Sequence, residues 1–119
     1  YEQRYGQNVY RPNTVFIFIS QSGETADTLA ALKKIKNLGM PALGLVNAIG
    51  SAIARDTDAG VYNHAGPEIS VASTKAFVSQ LAALNFMALY LGPGSKYKKE
   101  LARELVAIPN KIKTIYLRL

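Results

Sequence analysis

The stretch TVFIFISQSGETADTL, residues 14–29, decides the fold. Its first six residues are β-branched or aromatic with apolar side chains on both faces, which predicts a strand buried on both sides in a parallel sheet. A polar loop follows at once, and from about residue 24 to Leu38 leucine and isoleucine recur near helical spacing. Gly39 then stands where a helix commonly ends. A strand that leads directly into a helix favours an α/β fold.

The same order of strand and helix continues along the chain. Short apolar segments at 42–46 and 60–62 are predicted strands, and residues 51–56 a single helical turn between them. Residues 73–90 are apolar nearly all round, which predicts a helix buried in a large core. The fold predicted from these elements is a parallel sheet flanked by helices in three layers.

The basic charge of the chain is concentrated near its end. Residues 96–119 hold seven Lys/Arg against two Asp/Glu, whereas residues 1–95 hold seven against six. Apolar residues recur in this tail at intervals of four and three, which predicts an amphipathic structure that Pro109 divides into two helices, at about 96–108 and 109–118. A solvated basic face is favoured over nucleic-acid binding, which normally needs a denser basic stripe with base-reading residues.

Length and composition exclude several classes of protein. The 119 residues, 49% hydrophobic and 18% charged, fit one globular domain or a piece of a larger one. The absence of cysteine excludes a disulfide framework, a thiolate zinc site and a cysteine nucleophile within these residues. No stretch reaches the roughly 18 uninterrupted apolar residues of a membrane helix, so no membrane association is expected. Because the sequence opens with Tyr1 rather than Met, it is interpreted as a piece of a longer chain.

The serine loop, residues 20–25, is the first candidate site. Ligands of open parallel sheets collect beyond the carboxyl ends of the strands, where this loop is predicted to lie. Its hydroxyls and amide converge on a predicted helix N-terminus, whose partial positive charge can hold a phosphate without Lys or Arg. An ordinary N-cap is the alternative, although one serine would be enough for capping. We therefore interpret the loop as an anion-binding site.

A second polar loop, residues 66–75, again lies between a predicted strand and a predicted helix. It offers hydroxyls for polyol recognition or for capping, from Ser70, Ser73 and Thr74. Glu68 and Lys75 either serve a site or pair with each other. Taken alone, this loop is weak evidence for a function.

Cofactor and metal signatures are absent from the sequence. Neither G-x-x-x-x-G-K-[ST] nor G-x-G-x-x-G occurs, so no nucleotide or dinucleotide cofactor is predicted. His64 is the only histidine and the chain has no cysteine, so it is interpreted as an exposed loop residue and no metal site is expected.

Two motifs together resemble a known family. SQSGETADTL at 20–29 and EISVASTKAF at 68–77 are similar to the first sugar isomerase (SIS) subdomain of the glutamine:fructose-6-phosphate aminotransferase (isomerizing) family. S-x-S-G-x-T is shared by SIS domains in general, whereas ETADTL and VASTKAF are closer to the aminotransferases. The resemblance covers residues 13–91 well and 95–119 loosely. It implies a flavodoxin-like SIS fold, N-terminally incomplete, with a partial sugar-phosphate-binding domain at 1–95.

The same resemblance implies roles for particular residues. Phosphate contacts would fall on Ser20, Gln21, Ser22 and Thr25, and sugar contacts on Val71, through its backbone, and Ser73. The family carries its Schiff-base lysine, isomerising glutamate and ring-opening histidine in the second SIS subdomain. No catalytic residue is therefore expected in these residues, and the chain alone is expected to be inactive.

The resemblance further implies a reaction and partners. The parent would convert fructose 6-phosphate and glutamine to glucosamine 6-phosphate and glutamate, in amino-sugar biosynthesis in the cytoplasm. Residues 96–119 would close the domain or lead to a second SIS subdomain, and a glutaminase domain would belong to the same parent chain. A homo-oligomer without nucleic acid is expected. The alternative is a non-catalytic SIS module that senses a phosphosugar in a regulator.

Overall fold

The structure, a computed structural model, describes residues 5–6, 8–69 and 73–118. Its elements, in chain order, are β1 (Phe16–Ser20), α1 (Ala26–Asn37), β2 (Ala42–Val46), α2 (Ala52–Asp56), β3 (Ala59–Tyr62), α3 (Lys75–Leu91) and α4 (Lys98–Tyr116). The chain divides into two compact units, one ending at Gln80 and the other beginning at Leu81. The predicted α/β class and the order of its elements are confirmed, with one exception in the tail.

The strands form one parallel sheet in the order β1-β2-β3. Ser20 lies opposite Val46, and Val46 opposite Tyr62, so the three strands end at the same level. Because parallel strands point the same way, the segments that leave their carboxyl ends emerge along one edge of the sheet. This edge carries the serine loop, the turn after β2 and the segment that leads from β3 to the second polar loop.

The core lies between the sheet and the helices α1 and α2. Leu32 and Ile35 of α1 and Ile53 of α2 are fully buried, and they cluster with the buried side chains of Phe18 and Val46 in the strands. Burying each such side chain contributes about 1.5–3 kcal/mol relative to leaving it exposed. These contacts fix where α1 and α2 begin, and therefore where their N-termini stand at the carboxyl edge of the sheet.

The two faces of β1 differ in burial. Phe18 faces the core, whereas Ile17 and Ile19 point to the opposite face and remain 43% and 42% exposed. The prediction that this strand is buried on both sides is therefore wrong among the described residues. The central strand β2 is buried on both faces, because its neighbouring residues Leu45 and Val46 point to opposite faces and both are buried. A strand with a neighbour on each side is covered more completely than one at the end of the sheet.

Helix α3 forms where a helix was predicted, but it is not buried in a large core. Among its residues only Ala76 is fully buried, while Phe77, Val78 and Phe86 are exposed. A helix that is apolar all round is buried only when other elements surround it, which its own sequence cannot show.

Helix α4 is continuous through Pro109, so the predicted division into two helices is wrong. An interior proline removes one backbone hydrogen bond and costs about 3 kcal/mol, yet the neighbouring residues can continue the helix. An ion pair between Glu104 and Lys111 spans the proline. Beyond the proline, the Thr114 hydroxyl donates to the Asn110 carbonyl oxygen at 2.8 Å. Among the described residues, no helix has both the length and the apolar character needed to cross a membrane.

Candidate functional site

The serine loop is closed from within by Ser20. Its side chain, 7% exposed, lies at the end of β1, where Oγ accepts the Gly23 N–H at 2.9 Å. The same oxygen lies 3.3 Å from Thr25 Oγ1, and the two hydroxyls share a hydrogen bond. Ser20 therefore connects the middle of the loop to its end and holds it as a compact turn above the strand.

The N-cap of α1 is Thr25, but its side chain makes no capping hydrogen bond to the helix. Its hydroxyl contacts Ser20 instead. Ser22 is exposed, and its Oγ accepts the Glu24 N–H at 3.2 Å, also without contacting the first turn of α1. The first N–H groups of a helix have no partners within the helix and carry partial positive charge. An ordinary hydroxyl cap therefore does not explain the loop, and its geometry suits an anion at the start of α1.

Gly23 lets the serine loop approach the segment after β2. Its backbone is in the left-handed region, with φ of +67°. A Cβ placed on this residue would lie 1.9 Å from Oγ of Ser51 and 2.5 Å from its Cβ. Ser51 is itself only 5% exposed. No residue with a side chain fits at position 23 unless Ser51 moves.

The close approach is stabilised by hydrogen bonds that backbone N–H groups of the segment after β2 donate to the serine loop. Three hydrogen bonds join them: Ala48 N–H to Gln21 O at 3.2 Å, Ile53 N–H to Gly23 O at 3.0 Å, and Ala52 N–H to Glu24 Oε1 at 2.8 Å. The loop is therefore fixed by its carbonyl oxygens and by Glu24. The hydroxyls of Ser22 and Thr25 stay at the surface.

Asn47, the first residue after β2, connects this arrangement to the segment after β3. Its side-chain Nδ2 donates to the Gly66 carbonyl oxygen, and its Oδ1 accepts the Ala65 N–H, both at 2.8 Å. His64, exposed as expected, and Gly66 have positive φ angles of 48° and 74°. The amide of Asn47 therefore holds a sharply turned segment in place at the entrance to the second polar loop.

Glu68 binds the start of α3. Its Oε1 accepts the Thr74 N–H at 2.6 Å and the Thr74 hydroxyl at 2.8 Å, and its Oε2 accepts the Ser73 hydroxyl at 3.2 Å. The sequence left two alternatives for Glu68, a role in a site or an ion pair with Lys75. Among the described residues, the carboxylate binds Ser73 and Thr74 and is not paired with Lys75. The hydrogen bond from the Thr74 backbone N–H, assisted by the Thr74 hydroxyl, holds the pKa of Glu68 below its ordinary value.

This lowered pKa gives a testable pH dependence. Charged Glu68 stabilises the folded loop at pH values above the ordinary glutamate pKa, and this contribution is lost as the pH falls through the lower folded pKa. In an NMR titration of its carboxyl carbon, we expect Glu68 to titrate below the ordinary glutamate pKa. Thr74→Val, which removes one donor, should move the midpoint back toward that value. A midpoint at or above the ordinary value would contradict the contacts of Glu68.

The structure places most of the predicted site residues at the carboxyl edge. Ser20, Gln21, Ser22 and Thr25 form the serine loop, and Ser73 stands exposed before α3. Val71 lies outside the described residues. Sequence reasoning missed Asn47 and Ser51, which position the loops through contacts distant in sequence. A polar residue directly after a buried strand is the signal that could have identified Asn47.

Comparison with known proteins gives the family. The sequence model of the SIS domain matches residues 1–90, which is most of the chain. The chain belongs to the SIS domain family. The fold agrees with this, because the structure of the chain is similar to the C-terminal domain of glucosamine-fructose-6-phosphate aminotransferase from Francisella tularensis. The two superpose with a TM-score of 0.80 at 37% identity, over 94% of this chain and 34% of the other.

Two curated relatives of the chain are glutamine–fructose-6-phosphate aminotransferases (isomerizing). The chain is 46% identical over 115 residues to the enzyme of that name from Chlorobaculum tepidum, covering 93% of the chain and 19% of that protein. It is 45% identical over 111 residues to glutamine–fructose-6-phosphate aminotransferase (isomerizing) 2 of Mus musculus, covering 90% of the chain and 16% of that protein. The chain thus spans about a fifth or less of the length of these relatives.

Proposed function

We propose that this SIS domain binds the phosphate and the sugar of fructose 6-phosphate within an enzyme that converts it to glucosamine 6-phosphate. The observation that carries the proposal is the serine loop, whose cap residue Thr25 makes no side-chain hydrogen bond to the first turn of α1. A phosphate there would accept hydrogen bonds from that turn and from the hydroxyls of Ser22 and Thr25. The family and the names of the relatives favour a phosphosugar over other anions.

The proposal assigns phosphate contacts to some of these residues and sugar contacts to others. Ser22 and Thr25 are exposed and contact the phosphate, with Gln21 beside them. Ser20 is the most buried of the four. Its oxygen closes the loop by accepting the Gly23 N–H, and its hydroxyl proton contacts the phosphate once the hydrogen bond shared with Thr25 is released. Ser73 and the backbone of Val71 contact the sugar. The site uses neutral donors and a helix N-terminus, because residues 20–25 contain no Lys or Arg.

Binding of this kind contributes to the reaction by positioning the substrate. A phosphate held at the serine loop fixes one end of the sugar, so that the carbonyl at the other end is presented to acid, base and amine groups supplied elsewhere. We propose that these groups belong to a second SIS subdomain, and that ammonia comes from a glutaminase domain of the same parent chain. We further propose that the parent protein is a homo-oligomer in the cytoplasm and binds no nucleic acid.

An activity assay tests the proposed function. The full-length protein is expected to form glucosamine 6-phosphate from fructose 6-phosphate and glutamine, whereas the 119 residues alone should form none. The fragment contains no cysteine to release ammonia, and the sugar isomerisation needs a base that the resemblance places elsewhere. A full-length protein that binds fructose 6-phosphate without converting it would identify a phosphosugar-sensing regulator instead. Product formed by the 119 residues alone would mean that catalytic groups lie within them.

A further inference from the structure

The two oxygens of Glu68 contact different donors. Oε1 accepts both the backbone N–H and the hydroxyl of Thr74, at 2.6 and 2.8 Å. Oε2 lies 3.2 Å from the hydroxyl oxygen of Ser73, which donates to it. The carboxylate thereby joins residue 68 to Ser73 and Thr74, which are five and six positions later in the sequence. An acceptor for the Thr74 N–H is sufficient for a simple helix cap, so the contact with Ser73 needs a separate explanation.

The contact with Ser73 fixes the direction of its hydroxyl. A serine hydroxyl has one proton to donate and two lone pairs that accept. An ionised carboxylate can only accept, so the Ser73 proton must point at Glu68. Ser73 is exposed, and its lone pairs are then available to a ligand. In this arrangement Ser73 can accept a hydrogen bond but has no proton left to donate.

We propose that Glu68 is a positioning residue that makes Ser73 a hydrogen-bond acceptor, so that Ser73 favours a sugar hydroxyl that donates its proton at this point. The inference rests on the proposed function, because it assigns the polarity of one sugar contact within that site. Glu68 acts through Ser73 and touches no reacting atom.

The substitution Glu68→Gln separates this role from simple capping. A glutamine can keep its carbonyl oxygen toward the two donors of Thr74, so the cap survives. Its NH2 group then replaces Oε2 and donates to Ser73, which must turn its own proton outward. Ser73 then presents a proton, so a sugar hydroxyl loses the acceptor for its own proton at this point.

The experiment measures two affinities in the full-length protein. For Glu68→Gln we expect fructose 6-phosphate to bind about tenfold more weakly, the value of one hydrogen bond, with the affinity for inorganic phosphate unchanged. Asp58→Asn is the matched control. The Asp58 carboxylate also accepts a backbone N–H, that of Ala42 at 2.9 Å, and pairs with Lys36, but at the opposite edge of the sheet. Asp58→Asn should leave the affinities for fructose 6-phosphate and for inorganic phosphate unchanged.

A double-mutant cycle decides whether Glu68 acts through Ser73. In a Ser73→Ala background, Glu68→Gln should change the affinity for fructose 6-phosphate by less than about twofold, because the hydroxyl it reorients is gone. An equal effect in both backgrounds would overturn the inference. So would equal losses for the sugar phosphate and for inorganic phosphate, or no loss at all. A wild-type protein that binds neither ligand would instead contradict the proposed function on which the inference rests.

Discussion

Gly23→Ala is expected to lower the free energy of unfolding by about 3 kcal/mol and to abolish binding of fructose 6-phosphate. Holding a residue other than glycine in the left-handed region costs roughly 1 kcal/mol or more. The added Cβ would also lie 1.9 Å from Oγ of Ser51, and relieving such an overlap in a packed region costs about 1–3 kcal/mol. Because Gly23 O accepts the Ile53 N–H, any shift of Gly23 also disturbs the start of α2. Urea denaturation of the chain measures the change in stability.

Gly39→Ala is the matched control for the steric part of this prediction. Gly39 has nearly the same backbone angle, with φ of +69°, but a Cβ there would meet no atom within 4 Å. It should cost only the backbone contribution of about 1 kcal/mol and leave binding intact. Adding Ser51→Gly to Gly23→Ala should recover part of the lost stability, because it removes both overlapping atoms. Equal losses for the two alanine variants would show that Gly23 is needed only for its backbone angle.

Ser22→Ala is expected to weaken binding of fructose 6-phosphate by about ten- to a hundredfold. A hydrogen bond to a charged phosphate is worth roughly 1.5–3 kcal/mol. Stability should change by less than about 1 kcal/mol, because the contact that the side chain loses is one exposed hydrogen bond from the Glu24 N–H. Isothermal titration calorimetry of the full-length protein measures the affinity, and thermal denaturation of the chain measures the stability.

Ser95→Ala provides a control with the same local geometry. The Ser95 hydroxyl oxygen accepts the N–H of Tyr97, two residues later, at 3.2 Å in an exposed turn, as Ser22 does with Glu24. Both substitutions remove the same kind of contact, so they should change stability equally, and only Ser22→Ala should weaken binding. If Ser22→Ala lowered stability and left affinity unchanged, the serine loop would be a structural turn without a ligand.

The elements of this fold could be predicted from local sequence. An aromatic and β-branched apolar segment predicts β1, a short apolar segment predicts β2, and helical spacing of leucine and isoleucine predicts α1. Burial could not be predicted in the same way, because Ile17 and Ile19 are as apolar as Phe18 but face the side of the sheet that α1 and α2 do not cover. Periodicity identifies the apolar residues of an element and leaves open which of them have neighbours.

The serine loop of the candidate site could be predicted from the sequence, but its contacts with the other loops could not. The serine loop could be identified from composition alone, because its hydroxyls exceed what a helix cap needs. The close approach of Gly23 to Ser51, and the hydrogen bonds of Asn47 with Ala65 and Gly66, join residues about 20 to 30 positions apart in sequence. Such contacts depend on how the strands pair. At Pro109 the local sequence was misleading, because proline usually ends a helix and predicted two helices, whereas the chain forms one.

Hydrogen–deuterium exchange of the full-length protein, with and without fructose 6-phosphate, tests the central claim most directly. The ligand is expected to slow exchange of the amides in residues 21–28, which belong to the serine loop and the first turn of α1, and unphosphorylated fructose at the same concentration should not. Exchange along the basic helix α4 should be the same in all three samples. Protection confined to α4, or no protection of residues 21–28 at a saturating concentration of the sugar phosphate, would contradict the assignment of the serine loop as the phosphate site.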